Sequence, residues 1–246
     1  FKFNLILGFI TPIFGILMPL IIMGSFFQFS SRVGSWTAEN FIIYQFIAYN
    51  LIILRTLIGQ FPSQFQTEKF WQTLPALLIA PFNRINLLFG IILSHFILII
   101  IPITVFTIIS LIFSPISALT LVFIFILYIL ISLVFSGIGI IIGIFIISKE
   151  NFAGILYFLL NFIFWLSCLS YPFELFPELI QNIISINPMY YIFDIIRLAW
   201  IENDFVFTIT SHYTHFIVLL STAILLPIIG VLIFNKVFKK YGIVGY

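Results

Sequence analysis

The chain has 246 residues, of which 63% are hydrophobic and 7% charged, and a formal net charge of +2. A soluble domain is roughly 25% charged and about 45–50% apolar, so this composition excludes a surface built for water and points to a bilayer as the solvent. The small net charge offers nothing to nucleic acid, and the single Cys168 excludes an internal disulfide or a cysteine-based metal cluster.

The chain begins at Phe1 rather than methionine, which leads to the expectation that its true N-terminus lies upstream. A membrane-spanning helix needs roughly 20 mostly apolar residues. Six stretches meet that need: Leu5–Phe27, Phe41–Phe61, Leu87–Phe113, Ala118–Ile147, Phe152–Ser170 and Phe216–Asn235. The first is too long for the apolar core of a signal peptide, which spans roughly 7–15 residues. Lipid offers no partner to backbone amides, so these stretches must be helices. Their continuity excludes the alternating polarity of β-barrel strands. The expected fold is therefore an all-α membrane protein of six transmembrane helices, formed by residues 1–246 as a single domain.

Charge sits mainly between the spans. Lys2, Lys69, Arg84, Lys149, Lys236, Lys239 and Lys240 fall on one side of the predicted topology, and Arg32 and Arg197 on the other. The excess of Lys and Arg marks the cytoplasmic face. A multi-pass protein of the cell membrane with both termini in the cytoplasm is expected.

The outward segment Tyr171–Thr214 is more than a loop. Pro172, Pro177 and Pro188 interrupt it, and Glu178–Ile186 and Tyr190–Ile201 read as short amphipathic helices. Helices of that length are too short to cross a bilayer, so they dip into it or lie on it. Tyr190, Tyr191 and Trp200 suit an interfacial aromatic belt. Asp194 and Arg197 stand at i, i+3 and are expected to pair on one helix face.

One charge, Arg55, and one histidine, His95, lie inside the apolar spans. Arg55 is costly there, so it marks a substrate pathway, pairs between helices, or snorkels to the interface. His95 reads as a buried hydrogen-bonded side chain, with a pathway role as the alternative. His212 and His215 read as a solvated interfacial pair rather than metal ligands. Gly139 and Gly143 form a G-x-x-x-G pair that suits close helix packing. No G-x-x-x-x-G-K-[ST] sequence is present, so ATP is not bound here through a P-loop. Catalytic and metal-ligating residues are not expected.

Two motifs carry a resemblance. The segment after the second span reads EKFWQTLPALLIAP, from Glu68 to Pro81. It resembles the G-T-L-E-x-L-L-x-x-P pattern of ABC-2 type permeases, with Glu68, Thr73, Leu74, Leu77, Leu78 and Pro81 in register. Gln72 replaces the family's glycine and Pro75 its second acid. The outward stretch YPFELFPELIQNIISINPMYYIFDIIR, from Tyr171 to Arg197, is similar to the family's segment after the fifth span, with Pro172, Glu174, Pro177, Asn187, Pro188, Asp194 and Arg197 matching.

The resemblance implies the permease subunit of an ATP-driven ABC exporter. ATP and Mg would be held by a separate cytoplasmic ATPase, and this chain would have no cofactor of its own. A second permease copy, as a homodimer or pseudo-dimer, and membrane lipids would be its other partners. It further implies a cytoplasmic coupling helix carrying Glu68, Lys69, Trp71, Thr73, Leu74, Leu77 and Leu78. The outward re-entrant segment would carry Pro172, Glu174, Pro177, Pro188, Asp194 and Arg197. An amphipathic helix would precede the first span, with only Phe1–Asn4 of it in this chain. Lipid-like, drug-like or glycan-linked cargo fits the apolar spans. A secondary transporter or channel without an ATPase is the alternative; it predicts inverted repeats and several midplane charges.

Overall fold

The computed structural model describes residues 16–30, 32–73, 84–148 and 153–242. Helices dominate the described residues: α1 (Ile16–Phe27), α2 (Phe41–Arg55), α3 (Gln60–Phe70), α4 (Arg84–Phe113), α5 (Ala118–Ser148), α6 (Ala153–Trp165), α7 (Glu178–Ile184), α8 (Pro188–Glu202), α9 (Phe205–Ser211) and α10 (Tyr213–Gly242). A 3-10 turn, Thr56–Gly59, joins α2 to α3, so the second span runs on as one helical stretch of 30 residues, Phe41–Phe70. This stretch and three further helices, Ile85–Phe113, Ala118–Phe145 and Tyr213–Val237, are long and apolar enough to cross a membrane. The chain is an all-α membrane protein.

Within the described residues, the first and fifth expected spans appear as the apolar helices Ile16–Phe27 and Gly154–Trp165, and the earlier parts of both expected spans lie outside those residues. The fifth departs from expectation: its helix stops at Trp165 rather than reaching Ser170, and the chain turns through residues 166–172. The segment that follows holds one helix more than expected, α9. Asn203 closes α8 in the left-handed conformation, φ +50°, and Asp204 opens α9 by accepting hydrogen bonds from the Val206 and Phe207 amides. Asn is the side-chain-bearing residue best tolerated at a left-handed helix end, and Asp is among the preferred N-caps. The neighbouring helices also differ from expectation at their ends. α7 stops at Ile184, and α8 starts at Pro188, where a missing amide is harmless.

The described residues pack as two compact units. One draws on the described parts of Phe1–Ile53, Pro102–Ile124 and Ile163–Tyr213. Its core includes Met23, Val33, Trp36, Phe41 and Tyr44. The Tyr44 ring stacks on Phe41 at 5.3 Å and meets Trp36 edge-on at 4.8 Å, the geometries aromatic quadrupoles favour.

The other unit draws on the described parts of Leu54–Ile101, Phe125–Phe162 and Thr214–Tyr246. Phe61, Phe65, Leu88, Ile140, Ile144 and Phe234 form a core cluster there. α5 reaches its neighbours through glycines, as the G-x-x-x-G spacing predicts. A Cβ at Gly139 would stand 2.8 Å from the Ile58 carbonyl oxygen, and one at Gly137 2.6 Å from the Pro227 nitrogen. Gly143 is seated on Phe61 and Phe65. Without hydrophobic driving force between helices in lipid, such close backbone approach is what holds them.

Candidate functional site

Three polar constellations stand out, one in the first unit and two in the second. The first is built around the turn that ends α6. A chain leaving a helix strands the last carbonyls, and in apolar surroundings each stranded group costs several kcal/mol. Here side chains distant in sequence accept that duty. Asn187 donates to the carbonyls of Ile163 (2.8 Å) and Leu166 (3.1 Å), while its own oxygen caps α8 by accepting from the Met189 amide. Arg197 donates to the carbonyls of Cys168 (2.9 Å) and Leu169 (2.6 Å). Gln45 donates to Ser170, and the Tyr44 hydroxyl serves the carbonyls of Tyr171 (2.8 Å) and Cys168. Cys168 itself adopts φ +56°, a left-handed conformation uncommon for a side chain with a Cβ.

Arg197 is only 1% exposed. Its guanidinium lies 3.7 Å from the centre of the Tyr44 ring, a cation–π contact. The terminal nitrogens thus serve backbone carbonyls rather than the Asp194 carboxylate expected from i, i+3 spacing. Periodicity shows only who shares a helix face, and the orphaned carbonyls of the turn are the stronger claim on the buried cation. A cavity of about 50 Å³ adjoins it, with Glu174, Tyr190 and Asp194 also in its lining. Burial, reinforced by the Asp194 carboxylate, holds the Tyr190 phenol above its ordinary range. Drug-sized ligands occupy roughly 300–1,000 Å³, so this cavity is no cargo chamber. Pro172 precedes the 3-10 turn Phe173–Leu175, which carries Glu174, and Pro177 precedes α7. The Glu174 carboxylate sits against Gly34, where a Cβ would overlap it.

The second constellation lies in the second unit, where α2 gives way to the 3-10 turn. Arg55 donates to the Asn161 carbonyl oxygen on α6, and the Thr56 hydroxyl lies 3.2 Å from His95 Nε2 on α4. Among the earlier alternatives for Arg55, the inter-helix bond is the one observed. Asn161 was not singled out from sequence, although an amide within an apolar run was a visible signal.

The third is the end of α3. The resemblance implies a coupling helix carrying Glu68–Leu78; of it, Glu68 and Lys69 lie in the last turn of α3, and Trp71 caps it. The Gln72 amide donates to the Lys69 carbonyl (3.1 Å) and the Thr73 amide to that of Glu68 (3.0 Å). This pair of bonds is a Schellman motif, whose left-handed residue is usually glycine. Gln72 holds that place at φ +56°. Glu68 also accepts from the Gln64 amide (2.8 Å) and from the Thr73 hydroxyl (2.5 Å). Phe70 and Trp71 project, 84% and 70% exposed. Leu74, Leu77 and Leu78 lie outside the described residues.

His212, read as solvated, bonds instead to Glu202 at 2.8 Å. The α8–α9 corner folds that carboxylate back across ten residues, beyond what local spacing shows.

The family model described as ABC-2 type transporter matches residues 1–200. The comparison with curated proteins gives no match.

Proposed function

The chain belongs to the ABC-2 type transporter family, and from that premise we propose that it is the membrane subunit of an ATP-driven exporter, coupled to a separate cytoplasmic ATPase through the end of α3. The family membership carries the transporter reading; the built helix end at Glu68–Thr73 supports the coupling surface. Two large apolar side chains, Phe70 and Trp71, project beside the charged pair Glu68 and Lys69. Aromatic anchors of this kind dominate protein interfaces when a partner's pocket covers them. The Glu68–Thr73 hydrogen bonds fix their direction. A force applied at the anchors would act on a continuous helical stretch, Phe41–Phe70.

ATP and Mg belong to the partner in this reading. Nucleotide binding would favour one of two conformations of the pair of permease copies, and cargo release the other. The Lys and Arg distribution supports placing α3's end in the cytoplasm. The segment between α6 and α10 then faces outward. Lipid-like, drug-like or glycan-linked cargo remains the class that the apolar helices suit.

The test is co-purification and ATP hydrolysis in proteoliposomes with the candidate ATPase. Removal of a central aromatic anchor costs about 2 kcal/mol or more of binding. Trp71→Asp should therefore weaken ATPase association at least about tenfold, leaving the purified subunit monodisperse. If no ATPase associates with the wild type and its transport proceeds without nucleotide, the chain is a secondary transporter or channel.

A further inference from the structure

From the second constellation we infer that Arg55, Thr56, His95 and Asn161 form a binding site for the anionic headgroup of an amphiphilic cargo. The inference rests on the exporter reading and names the cargo's chemistry.

The four side chains come from three helical stretches of one unit: Arg55 bonds to Asn161, and the next residue, Thr56, bonds to His95. Thr56 and Asn161 are exposed and Arg55 and His95 half-buried, so the group is reachable from outside the protein. Its chemistry is weighted toward donation. A guanidinium presents only N–H groups. Asn161 directs its carbonyl oxygen to Arg55, which turns the amide's two N–H donors to other use. Thr56 and His95 spend one donor on each other, which leaves that pair one further N–H or O–H while the ring is neutral. Arg55 is the fifteenth residue of the Phe41–Phe70 stretch, on the apolar side of the polar run that begins at Gln60. A permanent charge at such a place is costly and marks a cargo or ion path by default. A guanidinium with further donors on its own and the neighbouring helix suits a phosphate or carboxylate, which takes charge-assisted bidentate bonds.

The surroundings suit tails. Phe158 and Phe162, on the same helix as Asn161, are exposed, as is Leu98, three residues beyond His95. A free anion would gain nothing from them, whereas an acyl or prenyl chain would bury against them at roughly 25 cal/mol per Å².

The experiment uses the full complex with its ATPase in zwitterionic nanodiscs, without nucleotide, read by native mass spectrometry. Dioctanoyl phosphatidic acid should bind saturably; dioctanoylglycerol, lacking the phosphate, and inorganic phosphate, lacking tails, should each bind at least about tenfold more weakly. Arg55→Gln should lower phosphatidic acid affinity at least about tenfold, and Thr56→Val and His95→Phe each several-fold. Arg32→Gln, outside the cluster, should change nothing. Equal binding of dioctanoylglycerol overturns the headgroup assignment, and equal binding of inorganic phosphate overturns the amphiphile. Unchanged affinity in Arg55→Gln overturns the site; if that variant fails to fold, unchanged affinity in both Thr56→Val and His95→Phe does so. ATPase association is scored in the same spectra. Its absence from the wild type sinks the exporter reading while the lipid-binding result stands by itself.

Discussion

Arg55 and Arg197 are the same residue type put to opposite uses. Arg197 is sealed in its unit and spends its terminal nitrogens on the backbone of a turn, beneath an aromatic ring. Arg55 is half-buried, and it bonds to a side-chain amide on a neighbouring helix among its contacts. Backbone carbonyls cannot be exchanged for another partner without unmaking the turn, so Arg197 is part of the scaffold. A side-chain amide can rotate, so the bond at Arg55 can be remade around a ligand. Burial alone would rank Arg197 as the more functional residue; the identity of the partners reverses that order.

The largest expected effect breaks this comparison at Arg197. Arg197→Met removes the donor to the part-buried Leu169 carbonyl, a loss of up to about 1–3 kcal/mol, with the contact to Tyr44 lost besides. The Cys168 carbonyl keeps the Tyr44 hydroxyl. The variant should lose its monodisperse elution in detergent or melt well below the wild type, whereas Arg55→Met should melt close to it. Equal losses in the two variants would end the distinction between scaffold and site.

How much of this was legible in the sequence follows from the range of each cause. The long spans were visible because lipid imposes a local rule, an unbroken apolar run of sufficient length. The Asn187–Pro188 start of α8 was visible because capping chemistry is local too. The end of α6 was not. Ser167, Cys168 and Leu169 continue the apolar run without a break signal. What stops the helix is the supply of donors from Tyr44, Gln45, Asn187 and Arg197, the first two more than 120 residues away. The His212–Glu202 bond was hidden for the same reason, since it depends on the corner between α8 and α9. Of the candidate sites, Arg55 and His95 were legible as polar residues in apolar runs, but their linkage through Thr56 and Asn161 needed the helix packing.

A middle-sized effect sharpens the contrast between a held backbone and an adaptable side chain. Gly139 lets α5 approach the Thr56–Gly59 turn, where a Cβ would stand 2.8 Å from the Ile58 carbonyl oxygen. Overpacking costs typically about 1–3 kcal/mol. Gly139→Ala should therefore lower the melting temperature and disturb the neighbouring Arg55 cluster with it, visible as weaker phosphatidic acid binding. Gly90→Ala, with nothing within 4 Å of its Cβ, should leave both measurements near the wild type. A Gly139→Ala protein that melts normally would mean the helix contact is softer than the backbone approach indicates.

The smallest effect concerns the end of α3, where the departure from the family's glycine meets a measurable strain. Gln72 occupies the left-handed position of the Schellman motif, a conformation that costs a non-glycine residue on the order of 1 kcal/mol. Glycine enters that region without steric penalty. Gln72→Gly should thus raise thermal stability modestly, and Gln72→Val, β-branched and less suited to φ above zero, should lower it. The two substitutions act on opposite sides of the wild type only if the turn is held in this conformation. If they move stability the same way, the helix end rearranges freely, and Phe70 and Trp71 have no fixed direction to offer a partner. If they split as expected while ATPase association follows the same order, the rigidity of six residues at Glu68–Thr73 is what the coupling surface depends on.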